Sequence, residues 1–118
     1  MEYAQSRTAR HRPVLIVSTY PDKASLSKVA NQLVSSGIVA CVNITRTSSI
    51  YMWEGKIENA SEYIGFFKTT QKNKKTLKEK ILQTHPYDVP EIAEIDITSV
   101  NKPYYDWLAE STSGTFNA

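Results

Sequence analysis

The stretch His85-Pro86-Tyr87-Asp88-Val89-Pro90-Glu91-Ile92 separates a helical pattern from a strand pattern. Each proline fixes its own φ and disfavours the helical conformation for the residue before it. We therefore expect the preceding helix to end near Thr84. Residues 91–97 then alternate apolar and charged side chains, which predicts a strand.

The same stretch is a candidate binding site. His85, Tyr87, Asp88 and Glu91 are polar residues on a stiff loop between two regular elements, where a scaffold can hold side chains in place. The alternative is a rigid connector with a structural histidine. These residues alone favour the alternative, because a lone histidine is more often structural than functional.

The chain before this loop predicts two helices and two apolar strands. The strands are residues 14–19 and 38–44, and the helices are residues 21–37 and 70–84. Apolar residues at helical spacing predict one buried face on each helix, formed by Leu26, Val29, Ala30, Leu33 and Val34 on the first and by Leu77, Ile81 and Leu82 on the second.

Residues 49–56 and 62–69 predict a β-hairpin with its turn at 58–61. Large side chains occur on both faces of this hairpin, namely Tyr51, Met52, Trp53, Tyr63, Ile64, Phe66 and Phe67. Helices on one side of a sheet bury only one of its faces. The second face therefore predicts another cover, and the simplest cover is another subunit.

The order of predicted elements is β-α-β-β-α-β, followed by an aromatic C-terminal helix for which Asn101 is the predicted cap. This order is typical of the α+β, ferredoxin-like fold. We expect a flexible N-terminal arm at 1–12, one domain at 13–110 and a polar tail at 111–118.

Composition limits the classes of function. The 118 residues carry 14 basic and 12 acidic side chains, a net charge of +2 that does not favour a nucleic-acid partner. No apolar run approaches the roughly 18 residues of a membrane span, so we expect no membrane partner. The single cysteine, Cys41, fits a reducing compartment, and the expected location is the cytoplasm.

Several segments together resemble the CutA, or divalent-ion tolerance, family. They are Ala40-Cys41-Val42-Asn43-Ile44, Ser49-Ile50-Tyr51-Met52-Trp53-Glu54-Gly55-Lys56-Ile57, Lys68-Thr69-Thr70, the His85 to Ile92 stretch and Tyr105-Asp106-Trp107-Leu108. They occur in the family's order and spacing, and they cover about residues 13–110.

The resemblance implies a homotrimer whose hairpins pair across subunits, similar in architecture to the PII signalling proteins. It also implies a non-enzymatic role in divalent metal tolerance, with copper as the metal of the family name. No cofactor is obligatory, and copper or another divalent cation is the expected metal partner. The alternative is a PII-like small-molecule sensor, or a trimeric scaffold, that binds its ligand in the intersubunit cleft.

Copper binding would use His85, Cys41 and Glu91, because imidazole suits Cu(II), thiolate suits Cu(I) and a carboxylate adds an oxygen ligand. Ser18 stands where copper-binding members of the family would offer a further soft ligand. Cys41 also lies within an apolar strand pattern, where cysteine is usually a small buried hydrophobe. These features predict weak copper binding.

A small ligand in the intersubunit cleft would meet Trp53 and Tyr87 as aromatic walls. Lys56 and Lys68 would meet an anion, and Asp88 would bind a cation or hold those lysines. The alternative is that the aromatic residues are interface core and that the charged residues form salt bridges between subunits.

Two further functions receive little support from the sequence. Catalysis would need a nucleophile with a base in reach, and Cys41 with His85 is the only nominal pair. Tyr63-Ile64-Gly65-Phe66-Phe67 resembles the aromatic strand of RNA-recognition domains but lacks its leading basic residue.

Overall fold

Two helices pack on one face of a four-stranded antiparallel sheet in the computed structural model, which describes residues 3–5 and 11–113. The elements in chain order are β1 (Tyr3–Gln5), β2 (Pro13–Tyr20), α1 (Lys23–Ser35), β3 (Cys41–Trp53), β4 (Lys56–Thr70), α2 (Gln71–Thr84), β5 (Ala93–Asp96), β6 (Ser99–Asn101) and α3 (Lys102–Ser111). The sheet has the order β3-β4-β2-β5. From β2 to β5 the chain follows the β-α-β-β-α-β plan, and α3 is the extra helix, so the ferredoxin-like prediction is confirmed.

The hydrophobic core lies between the sheet and the two helices. Val14, Ile16 and Tyr20 are buried on alternate positions of β2, and Phe67 of β4 lies on the same face as its Cα partner Ile16. The helices contribute Leu26, Val29 and Leu33 from α1, and Leu77 and Ile81 from α2. Side chains alternate between faces along a strand, so this face of β2 packs on the helices and the other face remains for a site.

Two residues predicted to lie in the core are exposed. Val34 of α1 is 45% exposed and Leu82 of α2 is 61% exposed. Each follows a residue that packs on the sheet, Leu33 or Ile81, and consecutive helical residues point about 100° apart. The predicted buried face of each helix therefore included one residue too many at its C-terminal end.

The hairpin turn was predicted at the wrong place. Trp53 pairs with Lys56, so the turn is the two residues Glu54 and Gly55, while residues 58–61 lie within β4. Both turn residues have positive φ, +49° and +78°, as a type I′ turn requires. The two predicted strands at 38–44 and 49–56 merge into the single strand β3, except that residues 38–40 form a buried loop before it.

The end of the hairpin extends beyond the helices and exposes large apolar side chains. The exposed fractions are 73% for Ile50, 64% for Met52, 51% for Trp53 and 67% for Ile57. In the pairing register, Met52 faces the same side as its partner Ile57, and Trp53 faces the other side. Both faces of the hairpin end are therefore apolar and uncovered in a single chain.

Two short strands form a second sheet. β1 pairs with β6 in antiparallel register, from Tyr3 opposite Asn101 to Gln5 opposite Ser99. Part of the segment predicted as a loose arm is therefore a strand. Asn101 occupies the N-cap position of α3, but its side chain makes no capping hydrogen bond.

Candidate functional site

The loop from His85 to Ile92 closes the open edge of β2. β5 pairs with β2 only as far as Val17, opposite Ala93, so Ser18 to Tyr20 have no strand on that side. The loop takes this place, and the Thr19 carbonyl accepts a hydrogen bond from His85 instead of from a strand. The two prolines in the loop explain why the chain cannot continue α2 or begin β5 earlier.

Both ring nitrogens of His85 are engaged. Nε2 donates to the Thr19 carbonyl oxygen at 2.9 Å, and Nδ1 accepts from the Tyr87 backbone N–H at 3.1 Å. A carbonyl can only accept, so this pattern assigns the proton to Nε2 and makes the ring neutral. The imidazole also stacks on the Tyr20 ring, with centroids 4.1 Å apart.

This environment favours the neutral imidazole. Burial lowers the pKa of His85 below 6.5, and the hydrogen bond to the Thr19 carbonyl opposes that shift. Tyr20 beneath it also stays neutral, because burial raises the pKa of its hydroxyl to about 12. His85 therefore acts in this structure as a neutral link between β2 and the loop.

Tyr87 joins the loop to β4 through a short hydrogen bond. Its hydroxyl donates to Oε2 of Glu62 at 2.6 Å, and Glu62 is only 7% exposed. Burial and the bond to this carboxylate raise the pKa of Tyr87 well above its usual value, so the phenol remains a donor. The bond fixes the loop over the face of the sheet that the helices do not cover.

A cavity of about 590 Å³ opens between this loop and the hairpin. It is lined by Thr19, Ser49, Tyr51, Trp53, Glu62, Pro86, Tyr87, Asp88, Val89 and Glu91. The strand residues among them lie on one face of the sheet. Residue 19 of β2 is paired with residue 64 of β4, which is two positions from Glu62, and side chains two positions apart on a strand point the same way. We refer to this cavity as the hairpin cleft.

Three of the five predicted ligand-binding residues, Trp53, Tyr87 and Asp88, line the hairpin cleft. The two lysines do not. Lys56 is beside Trp53 at the hairpin turn, outside the lining. Lys68 shares the face but lies six residues along β4 from Glu62, roughly 20 Å away at the rise of a strand, and its Nζ is 3.5 Å from the Tyr104 hydroxyl.

The predicted metal ligands are not brought together in one chain. Glu91 lines the hairpin cleft, and His85 contacts β2 at Thr19. Cys41 is paired with Lys68 of β4, and Lys68 is paired with Leu15 of β2. Leu15 and Thr19 are four residues apart on β2, so Cys41 is displaced from Thr19 by roughly 13 Å along the strand direction. Within the described residues, no three His, Cys, Asp or Glu side chains are grouped to hold a metal ion.

Glu62 and Tyr51 were not predicted as site residues. Glu62 was treated only as the first residue of a strand, yet it is the one carboxylate in the predicted strand 62–69, and a carboxylate beside large apolar side chains was a signal for a specific role. Tyr51 was assigned to the apolar surface of the hairpin. Neither residue could be placed in the cleft without the register of β3 on β4, which the misplaced turn obscured.

A second concavity of about 530 Å³ lies between α1 and α2. Among the residues that line it, one is charged, Lys80, and none is aromatic. The hairpin cleft has aromatic residues and three carboxylates in its lining, and a ligand site usually combines aromatic walls with a few polar groups, so we place the candidate site there.

Comparison with known proteins identifies the family. Residues 14–111 match the family described as CutA1 divalent ion tolerance protein. The chain belongs to the CutA family. A relative from Pyrococcus horikoshii, named divalent-cation tolerance protein CutA, is 40% identical over 99 residues, which cover 84% of this chain and 97% of that protein.

Other CutA proteins show the same fold and differ in location. The CutA structure from Synechococcus elongatus superimposes with a TM-score of 0.87 at 30% identity and covers 94% of this chain and 96% of its own. An Arabidopsis thaliana relative, 37% identical over 84% of this chain and 55% of its own length, is named chloroplastic. Membership in the CutA family therefore does not set a compartment. Within the described residues, no helix is long and apolar enough to cross a membrane.

Proposed function

We propose that this CutA chain acts in divalent-cation tolerance as a non-enzymatic homotrimer. The observation that carries the role is the match to relatives named divalent-cation tolerance proteins, over 84% and 86% of this chain and 97% of each relative. The distance between Cys41 and His85 supports a role without catalysis, since a nucleophile needs its base within hydrogen-bond reach. We also propose that the protein is cytoplasmic, because a chain with a single cysteine forms no internal disulfide and therefore fits a reducing compartment.

The exposed hairpin end supports the trimer. Ile50, Met52 and Ile57 are each at least half exposed on one face of the hairpin end, and Trp53 is half exposed on the other face. Apolar surface of this kind usually marks an interface. A closed ring of three chains, the assembly implied by the CutA resemblance, would cover the hairpins without leaving a free edge.

Weak copper binding at His85, with Cys41 and Glu91 as further ligands, remains part of the proposal. A metal ligand needs a free ring lone pair, but Nδ1 of His85 already accepts the Tyr87 N–H and Nε2 carries a proton. Copper would have to displace one of these bonds. This supports weak rather than tight binding.

Calorimetric titration with Cu(II) tests this site, using the purified wild-type protein, His85→Ala and the control His11→Ala. We expect weak binding that His85→Ala removes and His11→Ala keeps. Binding that survives in His85→Ala would exclude His85 as a ligand.

A second candidate function is a small-molecule sensor or scaffold that binds its ligand in the hairpin cleft. The observation that favours it is the cleft itself, which has the volume of a small-molecule site and carries Trp53, Tyr87 and Asp88 on its walls. In a trimer this cleft would lie beside the hairpins that join the subunits. Ligand binding could then be coupled to assembly.

A further inference from the structure

His85 is held by β2 in the way that metal-binding histidines usually are. Its Nε2 donates to the Thr19 carbonyl oxygen at 2.9 Å, and its ring stacks on the ring of Tyr20, with centroids 4.1 Å apart. A histidine that binds a metal usually donates its other ring N–H to a carbonyl or a carboxylate, and this bond fixes the tautomer and the ring orientation. The tautomer fixed by Thr19 keeps the lone pair on Nδ1, so Nδ1 carries the electron pair that a metal needs.

The backbone of Tyr87 occupies that lone pair. Its N–H donates to Nδ1 of His85 at 3.1 Å. Bonds between a metal and an imidazole nitrogen are about 2 Å long. A metal on the Nδ1 lone pair would therefore overlap the Tyr87 amide, which points at the same lone pair. The amide has to move away from His85 before a metal binds there.

Two features restrain the Tyr87 amide. Pro86 lies between His85 and Tyr87, and its fixed φ limits local rotation of the backbone. The Tyr87 hydroxyl also donates to Oε2 of Glu62 on β4 at 2.6 Å, and hydrogen bonds with a carboxylate acceptor are stronger than bonds between neutral groups. The Tyr87 amide therefore leaves Nδ1 only if the loop moves, and movement of the loop strains or breaks the bond to Glu62.

We propose that the hydrogen bond between Tyr87 and Glu62 acts as a latch that closes Nδ1 of His85 to metal, and that binding of Cu(II) at Nδ1 opens this latch. The inference concerns the regulation of the copper site proposed above, and it rests on that site. Thr19 is a positioning residue, because its carbonyl orients the His85 ring whether the loop is closed or open. Every contact of the latch joins residues of one chain.

The latch sets the sign of a mutational effect on metal affinity. A metal that binds only the open loop has its apparent affinity reduced by the small fraction of protein in which the loop is open. Loss of the bond between Tyr87 and Glu62 raises that fraction and should therefore tighten metal binding. Attraction between the metal and nearby carboxylates predicts the opposite for the removal of Glu62, because a charge that attracts a cation is lost. The direction of the change separates the two explanations.

Calorimetric titration of the full-length protein with Cu(II) tests the latch in Tyr87→Phe. This variant removes the hydroxyl donor and keeps the aromatic ring. It also frees the Glu62 carboxylate, and because a free carboxylate is itself a metal ligand, the double variant Tyr87→Phe/Glu62→Gln is measured as well. Tyr104→Phe is the matched control, since its hydroxyl lies 3.5 Å from Lys68 on another part of β4. Gly55→Ala strains the hairpin turn at a positive φ and controls for a general loss of stability.

We expect Tyr87→Phe and the double variant to bind Cu(II) at least about 5-fold more tightly than the wild type, as follows from a hydrogen bond whose loss is coupled to binding. Adding His85→Ala to Tyr87→Phe should remove the gain. Tyr104→Phe and Gly55→Ala should bind Cu(II) as the wild type does. Equal or weaker binding by Tyr87→Phe would overturn the latch. A gain that the double variant lacks would also overturn it, because Glu62 would then be a ligand.

Hydrogen exchange measured by mass spectrometry reports the state of the loop itself. We expect Cu(II) to speed amide exchange in residues 85–92 of the wild type, because the Tyr87 N–H loses its acceptor. Slower or unchanged exchange in this loop on adding Cu(II) would contradict an opening. Copper binding that depends on His85 but has equal affinity in wild type and Tyr87→Phe would overturn only the latch. Absence of His85-dependent binding from both proteins would overturn the copper site and the latch with it.

Discussion

At the scale of single residues, His85 links acidity to stability. Its pKa is lowered in the folded protein, so the folded state takes up its proton less readily than the unfolded chain. The stabilising effect of neutral His85 is therefore complete above pH 6.5, and it is lost as the pH falls through the lowered pKa of the folded state. A protonated ring would also turn Nδ1 into a donor facing the Tyr87 N–H donor.

We therefore expect the urea midpoint to fall between pH 7.5 and pH 5, and we expect part of this fall to disappear in His85→Gln. His11→Gln is the matched control, because only the backbone of His11 makes a described hydrogen bond, with Tyr105. Denaturation curves at both pH values measure the effect. The same pH dependence in wild type and His85→Gln would remove His85 as its source.

Tyr87→Phe isolates the hydrogen bond to Glu62. It leaves a carboxylate that is 7% exposed without its donor, and we expect a loss of about 1–3 kcal/mol in the free energy of unfolding. Tyr104→Phe removes a long contact of 3.5 Å to Lys68 and should change stability much less. Urea denaturation compares the two variants. Equal losses would mean that the 2.6 Å bond to Glu62 contributes no more to stability than the 3.5 Å contact of Tyr104.

The sequence predicted Trp53, Tyr87 and Asp88 in one site, and the structure brings these three residues to one cavity. Lys68 could not be excluded from sequence alone. It lies on the correct face of β4 but at the wrong end, and alternation along a strand gives the face without giving the partner on the next strand. The burial of Glu62 depends on a loop from another part of the chain, which local pattern does not describe.

At the scale of elements, the hairpin depends on a two-residue turn with two positive φ values. Gly55 has φ +78°, and a Cβ there meets no atom within 4 Å, so only backbone strain opposes a substitution. Gly55→Ala should destabilise the protein by about 1–2 kcal/mol, the usual penalty for a left-handed L-residue. Gly55→Asn is the control, because asparagine tolerates this conformation, and its loss should be smaller. Thermal unfolding of both variants measures the difference, and equal midpoints would contradict a strained type I′ turn.

The misplaced turn shows where local pattern fails. Residues 58–61 are each either polar or small, as in many turns, yet they lie within 15 residues of continuous strand. Their partners on β3 run from Tyr51 to Ser48, and this long antiparallel pairing outweighs the low strand propensity of the segment. The Glu-Gly pair was present in the sequence, but its turn signal is weaker than that of Asn-Gly or Asp-Gly.

At the scale of the whole molecule, the ferredoxin-like order followed from alternating helix and strand patterns, because each element carries its own period. The short strands β1 and β6 were missed, since three residues are too few to show a period. The two apolar faces of the hairpin were also expected from the sequence. The cover of these two faces depends on more than one chain. The mass of the assembly in solution tests this part of the proposal.

Ile57→Asp tests the hairpin end as the contact between subunits. Ile57 is 67% exposed in one chain and lies on the face opposite Trp53, so a charge there leaves the hairpin cleft intact. If a neighbouring chain buries this position, the unpaired carboxylate should cost several kcal/mol and dissociate the trimer. Leu82→Asp is the matched control, because Leu82 is 61% exposed on α2 and lies away from the hairpin. Size-exclusion chromatography with light scattering should give three times 13.3 kDa for the wild type and Leu82→Asp, and a smaller mass for Ile57→Asp. A trimer that tolerates Ile57→Asp as well as Leu82→Asp would place the interface elsewhere and leave the apolar hairpin end for another partner.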